Sequence, residues 1–298
     1  MRLLTFNHHS IDKNSTIDEV NEFFLELSKG IKKYILENGI RNSRFFTELE
    51  NFRRYEIVVG YTILDAIRLL SRDLQSIILD LITMRCNDDC LNNLSEEDEE
   101  KVTDYDIIFS DEAHEKNYMI LSFVLEKKGI LLSFNRDRWI NTPIAVLKYY
   151  KDEDTTTAYI DNIATEEHAN ILIEQNILEK LPTENIVYSN HFKDWFLLRD
   201  SSSIDKIVSK ISEAKKIHFD IDGFLIKSID KDIWQIKIGT QGGLQQSAIR
   251  ILFKKDTTKI YILHGLIKQG GTTYNYSKDI ERAKENYLQL IEKLNNGL

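Results

Sequence analysis

Four side chains towards the carboxyl end have the types and spacing to hold a phosphate: Lys237, Arg250, His264 and Lys268. They sit in the runs WQIKI, AIRILFKK and IYILHGLIK, which alternate apolar and polar residues with a period of two, as strands with one buried face do. In AIRILFKK, Ile249, Ile251 and Phe253 share one parity and leave Ala248, Arg250, Leu252 and Lys254 on the other. Trp234, Ile236 and Ile238 likewise oppose Lys237, and His264 shares its parity with Lys268. A meander in suitable register presents all four side chains on one open face. Residues 231 to 268 carry seven Lys and Arg against two Asp, a net of +5, and a local field of this kind attracts phosphates. The same lysines also suit an ordinary solvated strand face, and His264 at a strand end is equally suited to a backbone hydrogen bond.

The neighbouring segments must position these strands. GTQGG at 239 to 243 reads as a flexible hairpin connection, and DIERAKENY switches to helical spacing. Upstream, NIVYSNHF reads as a strand, Ser201–Ser203 caps a helix through IDKIVSKISEAKK, and the apolar IHFDIDGFLI precedes WQIKI as a further strand. The expected order is strand, helix, three or four strands, helix.

That series, WQIKI, IRILF, IYILHGLIKQ and DIERAKENY, resembles the RelE/ParE superfamily of bacterial toxins, most closely its HigB-like, phage-derived branch. Members of the branch carry a W-x-L-R strand, a Y-R-I-L-Y strand, a strand ending L-H-G-F-x-K-K, and a helix with I-x-x-A. The likeness covers roughly a third of the chain. Lys237 stands where the family usually has arginine, Gln269 replaces the second lysine of its K-K pair, and Gly270-Gly271 lengthens the following loop. The resemblance implies a toxin of a toxin–antitoxin or abortive-infection, anti-phage system that cleaves messenger RNA with the ribosome. The ParE branch instead poisons gyrase without cleavage, and a non-catalytic binding or regulatory module on the same fold is the other reading.

The implied chemistry is metal-independent attack of a ribose 2′-OH on the adjacent phosphate, which needs a base, an acid and positive charge on the equatorial oxygens. In that reading Arg250 grips the phosphate with its rigid fork, Lys237 and Lys268 hold flanking phosphates, and His264 serves as general acid or base. Lys231, Lys254 and Lys255 join in RNA binding, and Tyr274, with Tyr276, stacks on a base or serves as an ordinary aromatic. No cofactor and no metal is expected. The implied partners are messenger RNA and the ribosome, an antitoxin protein and a phage-derived trigger, with no membrane.

Competing motifs are weaker. Asp220-Ile221-Asp222-Gly223 resembles the opening motif of haloacid-dehalogenase-like phosphatases, but no acidic pair follows on an apolar strand and a turn between strands fits better. Cys86 and Cys90 in CNDDC lack a second ligand pair and read as structural thiols. No Walker loop or H-E-x-x-H helix occurs.

The 298 residues suffice for two domains, and 42% apolar content allows each a core. No apolar run spans a membrane and MRLLTFNHHS lacks signal-peptide character, so a cytoplasmic protein is expected. Of the net −9, residues 183 onward hold 18 Lys and Arg against 14 acids, leaving −13 for the first 182. The fold class expected is α+β, with an acidic domain 1–182, helical at its start and mixed later, and a RelE/HigB-like domain 183–298. The front domain has the size to sense a ligand, target the toxin or restrain it.

In that front part, Thr16 and Glu19 form a capping box before a helix built on Phe23, Leu25, Ile31, Tyr34 and Ile35 and stopped by Gly39. Further helices are expected over about 43–55, 62–84 and 114–125, then strands ILLSF, IAVLKYY and TTAYIDNI, and a helix from Thr165 to just before Pro182. The acidic run Glu96–Glu100 reads as a solvated loop or helix start, with a basic partner or a divalent metal as the other readings.

Overall fold

The computed structural model describes residues 2–87, 90–92, 94–109, 118–150, 155–239, 248–268 and 274–296. The fold is α+β, with parallel and antiparallel pairing combined in its sheets. The chain forms two compact units, Met1–Ile173 and Glu174–Leu298. The division lies inside a helix, ahead of Pro182. No helix among the described residues is long and apolar enough to cross a membrane.

The first unit runs β1 (Arg2–Phe6), α1 (Ile17–Asn38), β2 (Ser43–Phe46), β3 (Glu56–Val58), β4 (Tyr61–Thr62), α2 (Ile63–Leu69), α3 (Arg72–Met84) and β5 (Cys86–Asn87). It continues α4 (Glu96–Thr103), β6 (Tyr105–Ile108), α5 (Met119–Glu126), β7 (Ile130–Leu132), β8 (Ile144–Tyr150), β9 (Thr155–Ile163) and α6 (Glu166–Leu178). The main sheet has the order β5-β2-β1-β7-β9-β8-β6, with its first five strands parallel.

Several expectations for this unit are corrected. It opens on a strand, because RLLTF is buried in mid-sheet between two parallel neighbours. SRFF, expected helical, is β2, and the expected helix over 62–84 breaks at Leu70, whose extended backbone hands over to a new N-cap at Ser71. The capping box of α1 forms as expected, but its buried stripe is Val20, Phe24, Leu27, Ile31, Tyr34 and Ile35, leaving Phe23 and Leu25 half-buried. Residues 110–117, the start of another expected helix, lie outside the described residues, and the helix present is α5. The acidic run starts α4, where Ser95 caps the helix, Glu97 pairs with Lys101 and Asp98 with Lys127.

The second unit contains β10 (Ile186–Tyr188), α7 (Asn190–Leu197), α8 (Ser201–Lys216), β11 (Ile226–Ser228), β12 (Trp234–Ile238), β13 (Ala248–Lys255), β14 (Ile260–Lys268) and α9 (Ser277–Asn295). The order in its sheet is β10-β14-β13-β12-β11; β10 pairs parallel to β14 and the other pairs are antiparallel. One face carries Ile236, Ile249, Ile251 and Phe253 against Phe192 and Phe196 of α7 and Ile204, Ile207 and Ile211 of α8. The opposite face carries Leu252, Tyr261, Leu263 and Leu266 under Ile280, Ala283 and Tyr287 of α9.

Two local readings change here. NHFKDWFL is a helix, α7, capped by Ser189, rather than the end of a strand. IHFDIDG is not a strand: His218 and Phe219 take left-handed backbone after α8, and the Asp222 carboxylate accepts the N–H groups of Phe224, Leu225 and Ile226 at 2.8–2.9 Å. Asp220 pairs with Lys255 at 2.7 Å, so both aspartates of the phosphatase-like motif are spent on structure.

Candidate nucleic-acid interface

Strand register decides which cations meet. Lys237 lies directly opposite Arg250, Arg250 opposite Leu266, Ala248 opposite Lys268, and Leu252 opposite His264. Residues opposite one another project to the same side of a sheet, so Lys237, Arg250, His264 and Lys268 share one face. Lys227, opposite Gln235, extends that face to a fourth strand. The register shifts between Leu252 and Phe253, and Leu263 is the extra residue on β14. That bulge lets Tyr261 and His264, of unlike parity, face the same way.

The face is not open along its whole length. α9 lies over Leu252, Tyr261 and Leu266, and His264, expected at the surface, is only 4% exposed. Its Nε2 lies 3.1 Å from Asp279 Oδ1 of α9, and the Tyr274 hydroxyl donates to the other carboxylate oxygen at 2.9 Å. The imidazole stacks on His191 of α7 with ring centroids 5.0 Å apart. Its Nδ1 is buried without a hydrogen-bond partner. Burial lowers the His264 pKa and the Asp279 carboxylate offsets part of that, while His191 and Arg282 add to the lowering. Burial also pushes the Tyr274 phenol up to about 12, so the hydroxyl keeps its proton and donates it to Asp279. Tyr274, half-buried, packs edge-on to Tyr276 at 4.9 Å, which ties it into this network.

Beyond the helix the cations are accessible. Lys237, Arg250 and Lys268 are each half-exposed. Arg250 Nη1 donates to the Ile249 carbonyl at 2.8 Å, and Lys237 donates to the Gly223 carbonyl. These contacts leave most of the guanidinium donors for a ligand.

The other expected RNA-binding lysines do not join them. Lys254 lies over the Tyr287 ring at 4.4 Å, Lys255 donates to the His218 carbonyl at 2.9 Å as well as pairing with Asp220, and Lys231 is exposed between β11 and β12. At about 3.3 Å per residue, Lys254 is about 13 Å along β13 from Arg250. The buried Leu252 separates the two groups. The cationic surface therefore comes as two patches, not one.

Gly265 explains why a glycine follows His264. A Cβ there would fall 2.1 Å from Trp195 Cε3, so the missing side chain is what lets the α7 indole lie on β14. Sequence reasoning missed His191, Asp279, Arg282 and Lys227. Asp279 was the most accessible of these, since an acid in the first turn of a helix following the histidine strand is positioned to meet it. Gln269, Gly270 and Gly271, where the chain departs from the RelE-like pattern, lie outside the described residues, as does most of GTQGG.

No protein-family model matches the chain, and no curated protein or solved structure matches it.

Proposed function

We propose that the second unit is a RelE/HigB-like toxin module, the effector of a toxin–antitoxin or abortive-infection system, acting on messenger RNA with the ribosome in the cytoplasm. The observation that carries this reading is the pairing of Lys237 with Arg250 across β12 and β13, with Lys268 on the same face. Support also comes from the element order, a strand, helices, a four-strand antiparallel run and a closing helix. Arg250 presents a planar fork to a phosphate, and the two lysines flank it as point charges.

The burial of His264 favours a second reading. A general acid or base has to reach the 2′-oxygen or the leaving 5′-oxygen within hydrogen-bond range, and His264 lies beneath α9. With the imidazole so enclosed, the cationic row serves equally as the grip of a non-catalytic module, including one that inhibits gyrase. In the catalytic reading, Arg250 stabilises the phosphate, and the half-exposed Lys237 and Lys268 take the proton of the 2′-OH and return one to the leaving 5′-oxygen, while His264, Asp279 and Tyr274 hold the sheet and α9 in place.

Expression in bacterial cells with primer-extension mapping of transcripts tests both. A ribonuclease gives new 5′ ends and growth arrest, and Arg250→Ala abolishes both while circular dichroism stays unchanged. Growth arrest without new 5′ ends selects the binding reading. Full toxicity and cleavage in Arg250→Ala would remove the cationic row from either.

A further inference from the structure

The parallel part of the first sheet reverses its order at β1: the chain goes outward to β2 and β5 on one side, and to β7 and β9 on the other. In open parallel sheets, ligands bind beyond the carboxyl ends of the strands at such a reversal. Here the chain leaving β1 is Asn7-His8-His9-Ser10, and the chain leaving the adjacent β2 is Thr47-Glu48.

His8, His9 and Glu48 each direct one ligand atom into a common volume, all within 4.8 Å of one another. His9 Nε2 is 3.7 Å from Glu48 Oε1, and His8 Nδ1 approaches the same oxygen most closely. His8 Nδ1 and Glu48 Oε1 are both buried, and they pair with each other. Three such ligand atoms brought this close together are suited to a cation that binds them all.

The supports are rigid. The Asn7 side chain accepts the His9 N–H at 3.2 Å and donates to Ser133 Oγ at 3.0 Å, and its backbone N–H binds the Leu132 carbonyl at 2.9 Å. Ser10 Oγ donates to the Asn7 carbonyl at 2.7 Å and accepts the Phe134 N–H at 2.9 Å. These contacts fix the two-histidine turn to the end of β7, with Asn7, Ser10 and Ser133 all buried. Thr47 is held just as firmly: its N–H binds the Asn87 carbonyl at 3.2 Å, and its own carbonyl accepts the Cys90 N–H at 2.9 Å. The ring of Tyr118 packs edge-on to His9 at 4.8 Å. These contacts hold the backbone that carries His8, His9 and Glu48.

The three groups line a pocket of about 500 Å³ whose remaining wall includes Leu49, Leu91, Asn92 and Met119. We propose that the first unit binds a divalent transition-metal ion of the zinc class through His8, His9 and Glu48. Two imidazoles and one carboxylate suit such an ion over calcium or magnesium, and three protein ligands leave coordination positions free towards the pocket. Two adjacent histidines at a strand end fit neither the paired-Cys nor the helix-borne His pattern by which metal sites show in a sequence.

The test is calorimetric titration of the chelator-stripped full chain with zinc, with cobalt(II) absorption in the visible as a second readout. One zinc per chain is expected, with cobalt bands of a four- or five-coordinate site and a zinc-dependent rise in Tm. Glu48→Gln, which keeps the side-chain shape, and His8→Ala should each weaken zinc at least about tenfold, whereas His191→Ala in the second unit should not. If His8→Ala fails to fold, Glu48→Gln decides alone. Zinc binding by Glu48→Gln equal to wild type, or none by wild type at millimolar zinc, overturns the proposal.

Discussion

The two units place polar chemistry on opposite parts of a sheet. In the first, β7 and the carboxyl end of β1 are buried on both faces, so functional side chains lie beyond the strand ends, where His8, His9 and Glu48 converge from two neighbouring loops. In the second, an antiparallel meander uses the face itself, and Lys237 meets Arg250 because register sets them opposite. A site at strand ends depends on loops locked by side-chain hydrogen bonds. A site on a face depends on register, and on whatever helix covers part of that face.

The dependence of the second unit on close helix packing can be broken most severely at Gly265. Alanine there meets the rigid Trp195 ring at Cε3, Cζ3 and Cδ2, so the half-buried indole has to shift as a whole. Overpacking of this kind costs about 3 kcal/mol. Gly265→Ala should therefore lower the denaturant midpoint of the second unit, followed by Trp195 and Trp234 fluorescence in a Trp139→Phe background, and leave zinc binding by the first unit unchanged. An unaltered midpoint would mean that α7 does not rest on β14 as described.

A smaller loss is expected at Asp279, which accepts from Tyr274 and engages His264. Asp279→Ala strands a nearly buried imidazole N–H and a phenol O–H, at a cost of about 2 kcal/mol. Chemical denaturation measures it, and the double variant with Tyr274→Phe should cost less than the two single changes added together, because the second removes a group the first left unpaired.

Legibility in the sequence follows the same contrast. Period-two alternation displayed β12, β13 and β14 and the shared face of Lys237, Arg250, His264 and Lys268, because an antiparallel strand with unlike faces writes its orientation into every second residue. It could not show that α9 would bury His264, since Leu252 and Leu266 on the same face gave the only hint of a cover. In the first unit, RLLTF and SRFF are too short to declare themselves, and SRFF lies in a run whose spacing suits a helix. The metal-binding candidates were invisible for that reason: without β1 and β2 as neighbours, nothing in the sequence brings Glu48 to His8.

The smallest effect separates the histidines of the two units by pH. Burial holds both His168 and His264 below the ordinary histidine pKa, so the unfolded chain takes up protons first as pH falls through about 6.5, and stability is present above that value and lost below it. The neighbours differ. His168 Nδ1 accepts the Ala164 backbone N–H at 3.2 Å, a bond that favours the neutral ring, while the hydrogen bond to the Ile140 backbone and the Glu167 charge offset part of the lowering by burial. His264 faces the Asp279 carboxylate at 3.1 Å, with His191 and Arg282 opposing it, and the carboxylate supports the imidazolium once it forms. Acidification from pH 7.5 to 5.5 should therefore destabilise the second unit only modestly, and Asp279→Asn should steepen that loss by removing the counter-charge while keeping an acceptor oxygen. His264→Asn should flatten it. Denaturation midpoints from the same tryptophan signal at the two pH values read the difference, and a slope indifferent to both substitutions would assign the acid sensitivity to other groups.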